Sequence, residues 1–282
     1  MLCVRSNETR PCLVTPVPDP GIRFWQTLTT EEAAALTTRD PVIVLPVAAI
    51  EQHGPHLPLS TDLDVGLGLL GEAMRRLPDM FPVWALPPQA IGTSVEHTRF
   101  AGTLSLEPEL LAETVVQLGA AVAGTGIRRL LVWNAHGGNQ ATIDVAALRL
   151  RREHGLLVVK TSYFGVPRPK HAELPDLEWR HGLHGGAVET GMMRHLRPEL
   201  VRTDLLRRFA SVEEELASAM NLVRADGPVS FAWLADDLNP EGVVGNARLG
   251  TKELGAQLVS HYGRVLADVI RDTRAFPLDR LG

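Results

Sequence analysis

Val42-Ile-Val-Leu-Pro-Val-Ala-Ala-Ile-Glu51-Gln-His-Gly-Pro-His-Leu-Pro-Leu-Ser-Thr-Asp62 is the stretch on which the reading of this 282-residue chain turns. Its first residues, 42–46, are aliphatic and β-branched, the composition of a buried strand. Gly54, Pro55 and Pro58 then interrupt any ladder, so a rigid loop leaves the strand's C-terminal end. In open α/β sheets ligands bind at that edge. Glu51 and His53 are two apart, so in extended backbone both side chains leave one face and can share a metal. Asp62 stands just before a helical segment, where it either caps that helix or bridges two cations.

Outward from this segment the same alternation repeats. Further strands are expected at 83–86, 130–134 and 157–162. Amphipathic helices are expected at 64–77, 108–123 and 139–153, where apolar residues return every three or four positions. This is the pattern of parallel strands with crossover helices, an α/β fold around a mostly parallel sheet. Glu107-Pro108-Glu109 marks a helix start, because proline is tolerated in the first turn and acidic groups suit its positive end. Residues 165–186 are rich in Pro, Gly and His without a period and read as a long loop. Helices at 187–195, 212–223 and 252–272 follow.

Two later clusters resemble the first in composition. Trp133-Asn-Ala-His136-Gly-Gly-Asn-Gln140 ends an apolar strand and delivers an imidazole to the same sheet edge, unless it is only a tight turn capped by Asn139. His181-Gly-Leu-His184-Gly-Gly-Ala-Val-Glu189 pairs two histidines with a carboxylate. The two glycines let His184 and Glu189 point into one cleft, although Glu189 alone would equally suit a helix N-terminus. Three such clusters favour a metal site. The donors are nitrogen and oxygen, which suits zinc or manganese. Two cations sharing Asp62 would lower the pKa of a water, so hydrolysis is the expected reaction.

Composition bounds the alternatives. Even patterning, 45% hydrophobic and 22% charged residues point to one globular domain. A net charge of −5 and no concentrated basic face argue against nucleic acid. Residues 1–24 read as an irregular arm ahead of a domain at 25–282. The arm lacks the apolar run of a signal peptide or membrane span, so a cytoplasmic location is expected. Cys3 and Cys12, both in the arm, form no zinc-type cluster. A nucleotide-binding module is disfavoured because Gly124-Thr-Gly126 precedes a strand instead of following one. A purely structural zinc site is disfavoured because such sites are usually closed by four ligands, often cysteines.

Glu51-Gln-His-Gly-Pro-His-Leu-Pro-Leu-Ser-Thr-Asp62, Asn134-Ala-His-Gly-Gly-Asn139 and His184-Gly-Gly-Ala-Val-Glu-Thr190 resemble the motifs of the creatininase family, with weaker similarity at His97-Thr-Arg-Phe-Ala-Gly-Thr103. The resemblance implies a three-layer αβα domain, frequently hexameric, whose binuclear metal centre cleaves cyclic or other non-peptide amides. It implies that Glu51, His53, Asp62 and His136 are metal ligands with Asp62 bridging. Glu189 would close the second metal, and His184 would be the general acid/base. His97, Thr103 and Trp179 become candidate substrate contacts, and iron joins zinc and manganese as a candidate metal. Creatininase proper has a Tyr-Glu pair after the second motif's histidine, where this chain has Gly137 and Gly138. That departure is similar to branches acting on formamides and to the peptidase that trims mycofactocin precursors. The expected substrate is thus a small amide of cyclic or formamide type, with a small peptide as the alternative.

Overall fold

A computed structural model describes residues 21–281. Strands β1 (Val42–Val47), β2 (Val83–Ala85), β3 (Arg129–Asn134) and β4 (Leu157–Ser162) form one parallel sheet in the order β2-β1-β3-β4. Val42 lies opposite Val83 on one side and Arg129 on the other. Helices α2 (Thr61–Arg75), α3 (Pro108–Gly124) and α4 (Gln140–His154) make the crossovers in turn.

Alternation along the strands sorts the core into two layers. Val42, Val44, Leu131 and Trp133 pack with Leu69 of α2 and with Leu258 and Leu266 of α9 (Lys252–Ala275). Ile43, Leu45, Leu130 and Val132 pack with Leu111 and Val115 of α3 and Leu150 of α4. The result is a three-layer αβα sandwich. Each such aliphatic side chain contributes about 1.5–3 kcal/mol on burial, and burial on both faces explains why β1 and β3 are continuously apolar.

The strand order also makes the site. From β1 the chain passes to the edge strand β2, whereas from β3 it passes to β4 on the opposite side. The loops leaving β1 and β3 therefore diverge and open a crevice at the C-terminal ends of two adjacent strands.

Several expectations are corrected. Helix α2 begins at Thr61 with Ser60 in the cap position, so Asp62 lies in its first turn and does not cap it. Asn139 precedes α4 but makes no capping bond; its side chain accepts from Thr93 N at 2.8 Å and donates to Ala48 O at 3.1 Å. The loop read at 165–186 contains helix α5 (Asp176–His181), whose six residues are too few to show a period. The expected helix at 212–223 stops at Ala219, as α7 (Val212–Ala219). Short elements went unread: α1 (Thr30–Thr37), α8 (Ala235–Leu238), and the antiparallel pair β5 (Arg208–Phe209) and β6 (Gly245–Asn246). Ile22 and Phe24 are buried, and Phe24 bridges Ala85 of β2. Cys3 and Cys12 lie outside the described residues. No helix of the described residues is long and apolar enough to cross a membrane.

Helix α6 (Ala187–Leu196) lies against α9 with backbone touching backbone. A Cβ on Gly255 would fall 1.8 Å from the Gly191 carbonyl oxygen. Gly255→Ala is accordingly expected to push α6 off α9 and to destabilise the fold by about 3 kcal/mol. The measurement is urea unfolding, read as a lower midpoint at unchanged slope.

Candidate metal centre

The loop after β1 brings Glu51 and His53 back over the sheet edge, held by the Glu51 N–H donating to Leu59 O at 3.1 Å. Asp62 arrives from the first turn of α2 and His136 from the residues after β3. The α5–α6 connection supplies His184, and Glu189 is the third residue of α6. Glu51, His53, Asp62, His136 and Glu189 are all buried, and His184 is nearly so.

Ligand atoms of Glu51, Asp62 and His136 lie within 4.8 Å of one another, as do those of His53, Asp62 and Glu189. Asp62 belongs to both triads. Its Oδ1 is 3.4 Å from His53 Nε2 and its Oδ2 is 3.5 Å from His136 Nδ1. His136 Nδ1 is also 3.3 Å from Glu51 Oε1, and His53 Nε2 is 3.9 Å from Glu189 Oε2. A third group joins Glu51, His53 and His184.

Each imidazole is oriented by a backbone carbonyl, from which the tautomers are assigned. His53 Nδ1 donates to Glu51 O at 3.2 Å, His136 Nε2 to Thr93 O at 2.9 Å and His184 Nε2 to Gln52 O at 2.8 Å. The other nitrogen of each ring faces the carboxylates. Metal-binding histidines are commonly fixed in this way.

The electrostatics fit a cation. Both oxygens of Glu51, His53 Nε2 and Asp62 Oδ2 are buried without a hydrogen-bond partner. An orphaned buried carboxylate costs several times the roughly 1 kcal/mol that one ordinary hydrogen bond contributes, so packing alone does not account for it. Burial pushes the Glu51 carboxyl up, but the imidazoles of His136, His97 and His184 outweigh it and hold it well below the usual range. Burial and the nearby Glu51 push Asp62 up to about 6. His53 loses from burial yet rises to about 9 beside Asp62, Glu189 and Glu51. Burial also works against a charge on His136, which Glu51 and other carboxylates raise well above the ordinary value. His184 goes the other way: burial and the neighbouring His53 lower its pKa.

Of the three candidate substrate contacts, His97 joins the cluster, with Nε2 3.4 Å from Glu51 Oε1. Thr103 supports it from behind by accepting the Gln52 N–H at 3.1 Å. Trp179 packs on the main core, with the Arg168 guanidinium 5.5 Å from its ring centroid. The 239–245 loop closes on the site: Val244 N donates to His184 O, and Gly242 O accepts from Gln52 Nε2 at 2.6 Å.

Sequence reasoning missed several partners. The Gln52 side chain also donates to His97 Nδ1 at 2.8 Å; its position between Glu51 and His53 was the available signal. Buried Tyr163 donates to Glu189 Oε1 at 2.9 Å, and the Gly185 N–H donates to Glu189 Oε2. Glu178 of α5 accepts from Ala187 N and Asn246 N, each at 2.7 Å, pinning the start of α6. Neither Tyr163 nor Glu178 stands in a motif, so no local signal marks them.

The chain is similar to known proteins over most of its length. The chain is 32% identical to the mycofactocin precursor peptide peptidase of Mycobacterium ulcerans over 256 residues, covering 87% of this chain and 88% of the relative. It is 31% identical to the creatinine amidohydrolase of Pseudomonas putida over 191 residues, covering 62% and 71%. A manganese creatininase superposes with a TM-score of 0.70 at 26% identity, covering 89% of this chain and 98% of that one. A mutant creatininase of Zn-Zn type gives 0.68 at 27%, covering 88% and 97%. The profile of the creatinine amidohydrolase family, Creatininase, matches residues 26–270. The chain therefore belongs to the creatininase family.

Proposed function

We propose that this chain is a hydrolase of amide C–N bonds whose site holds two divalent cations, one among Glu51, Asp62 and His136 and one among His53, Asp62 and Glu189. The observation that carries this reading is the pair of buried triads meeting at Asp62. Zinc and manganese both suit the nitrogen and oxygen donors, and the Zn-Zn and manganese creatininases support either. When bound, such cations acidify a water and polarise an amide carbonyl.

The chain's own groups do the rest. His184 is held on Gln52 O through Nε2, which leaves Nδ1 on the side of the cluster, 3.6 Å from Glu51 Oε1. Its lowered pKa keeps it neutral at pH 7, able to take a proton from the attacking water and pass it to the leaving nitrogen. Tyr163 and the Gly185 N–H hold Glu189 in place, and the Gly242 carbonyl does the same for Gln52.

Two substrate classes fit. A Cβ on Gly137 would meet nothing within 4 Å, so the approach beside His136 is open where creatininase proper carries a tyrosine. That room suits a substrate longer than creatinine, and similarity to peptide peptidases over most of the chain supports a short peptide. A cyclic or formamide-type small amide is the second reading, supported by the creatinine amidohydrolase relative. A homo-oligomer, hexameric as the family resemblance implies, and a cytoplasmic location complete the proposal. Parallel assays of short peptides, formamides and cyclic amides decide between the substrate classes.

Purified protein should carry two metal ions per chain by elemental analysis, and Asp62→Ala should lose both ions and turnover together. Two ions retained in that variant would remove the bridging role. His184→Ala should keep its metal while kcat falls by roughly two to four orders of magnitude; an unchanged kcat would take His184 out of the reaction. Metal binding should also release protons. At pH 7 His53, raised to about 9, and His136, raised well above its ordinary value, hold protons that the cations must displace. Affinity should therefore rise with pH up to about 9. Calorimetry in two buffers of different ionisation enthalpy measures the release, and zero protons at pH 7 would contradict the ligand assignment.

A further inference from the structure

The imidazole of His136 is engaged on both sides. Nδ1 faces Glu51 Oε1 at 3.3 Å and Asp62 Oδ2 at 3.5 Å. On its far side Nε2 meets Thr93 O at 2.9 Å and Glu96 Oε1 at 3.4 Å. Glu96 comes from the single 3₁₀ turn Val95–His97, in the connection between β2 and α3, and belongs to none of the three motifs. Its side chain is only 16% exposed. A carboxylate so far withdrawn from water favours a donor, and the N–H it meets is that of a candidate ligand's ring, which it shares, as the longer acceptor, with Thr93 O.

This approach exists because residue 138 has no side chain. A Cβ on Gly138 would lie 2.5 Å from Glu96 Oε1, 2.5 Å from His136 Nε2 and 2.5 Å from Thr93 O. The space that any other residue would fill is the space through which the carboxylate reaches the ring. The same short segment supplies His97, which faces Glu51, and Thr93, whose N–H is held by Asn139. Residues 93–97 thus form the back wall of one half of the site.

We infer that Glu96 is a positioning residue of the metal centre, its carboxylate, admitted by Gly138, holding the His136 ring with Nδ1 turned toward Glu51 and Asp62. The inference rests on the metal reading above. A carboxylate behind a ligand imidazole fixes its orientation and makes it a better donor, and losing such a partner typically lowers metal affinity roughly ten- to a hundredfold.

The test is zinc affinity by chelator competition on the full-length wild type, Glu96→Gln and Glu96→Asp, with the unfolding midpoint of each chelator-treated protein measured alongside. Glu96→Gln should bind zinc roughly ten- to a hundredfold more weakly, with the metal-free midpoint unchanged. Glu96→Asp, which keeps the charge, should recover part of the loss. The d–d spectrum of cobalt-loaded Glu96→Gln should shift, a signature that a merely structural role would not move. Wild type binding two zinc ions and Glu96→Gln matching its affinity overturns the role of Glu96 and leaves the metal reading standing. A metal-free midpoint lowered without any change in affinity does the same. A wild type that binds no zinc overturns both.

Discussion

A carboxylate removed from water and given no hydrogen-bond donor is the constraint on which this structure depends. Glu51 is fully buried, neither of its oxygens finds a donor, and three imidazoles turn toward it. Such a group is costly to the fold by itself. The cost is distributed over neighbours from separate parts of the chain, which explains why the loop after β1, the start of α2, the turn at 95–97, the residues after β3 and the start of α6 must all close on one point. Positive charge delivered to that point offsets the desolvation of Glu51, Asp62 and Glu189 together. The αβα sandwich, with its divergent loops between β1 and β3, is the frame that lets them meet.

Beneath the candidate ligands lies a layer of groups whose work is orientation. Backbone carbonyls of Glu51, Thr93 and Gln52 each anchor one imidazole. The Gln52 amide ties His97 to the 239–245 loop, and Tyr163 ties Glu189 to the end of β4. His56, whose pKa burial lowers to about 4, spans Gly185 O and Thr190 Oγ1 at the entry to α6. Because these anchors are largely backbone atoms of the loops that leave the sheet, themselves held by hydrogen bonds, the rings are aimed by the fold itself, the preorganisation that metal sites require.

The central strands were legible in the chain because parallel strands buried on both faces are short continuous apolar runs, and 42–46 and 130–133 have that form. Helices 108–123 and 252–272 were legible for the complementary reason: an amphipathic stripe long enough to repeat. What escaped is short or made by distance. Helix α5 has six residues, β5 and β6 have two each, and none holds a period. The candidate ligands could be found because each stands in a short motif that also carries glycine or proline. Asp62 and Asn139 were open to being read as caps because a helix start looks the same from sequence whichever way its side chain turns; their tertiary partners decide against capping. Tyr163, Glu178 and Glu96 act across separations of 26, 68 and 40 residues from Glu189, Asn246 and His136, and only the fold brings those pairs together.

The backbone contact between Gly191 and Gly255 bears on the order of events during synthesis. Glu189 rides on α6, and α6 takes its seat against α9, the last long helix of the chain. A nascent polypeptide that has already made β1, β3 and the loops with Glu51, His53, Asp62 and His136 still lacks the surface that docks the final carboxylate. Glu51, His53, Asp62 and His136 thus precede Glu189 in the order of synthesis, and Glu189 is fixed in place only once α6 has α9 to pack on.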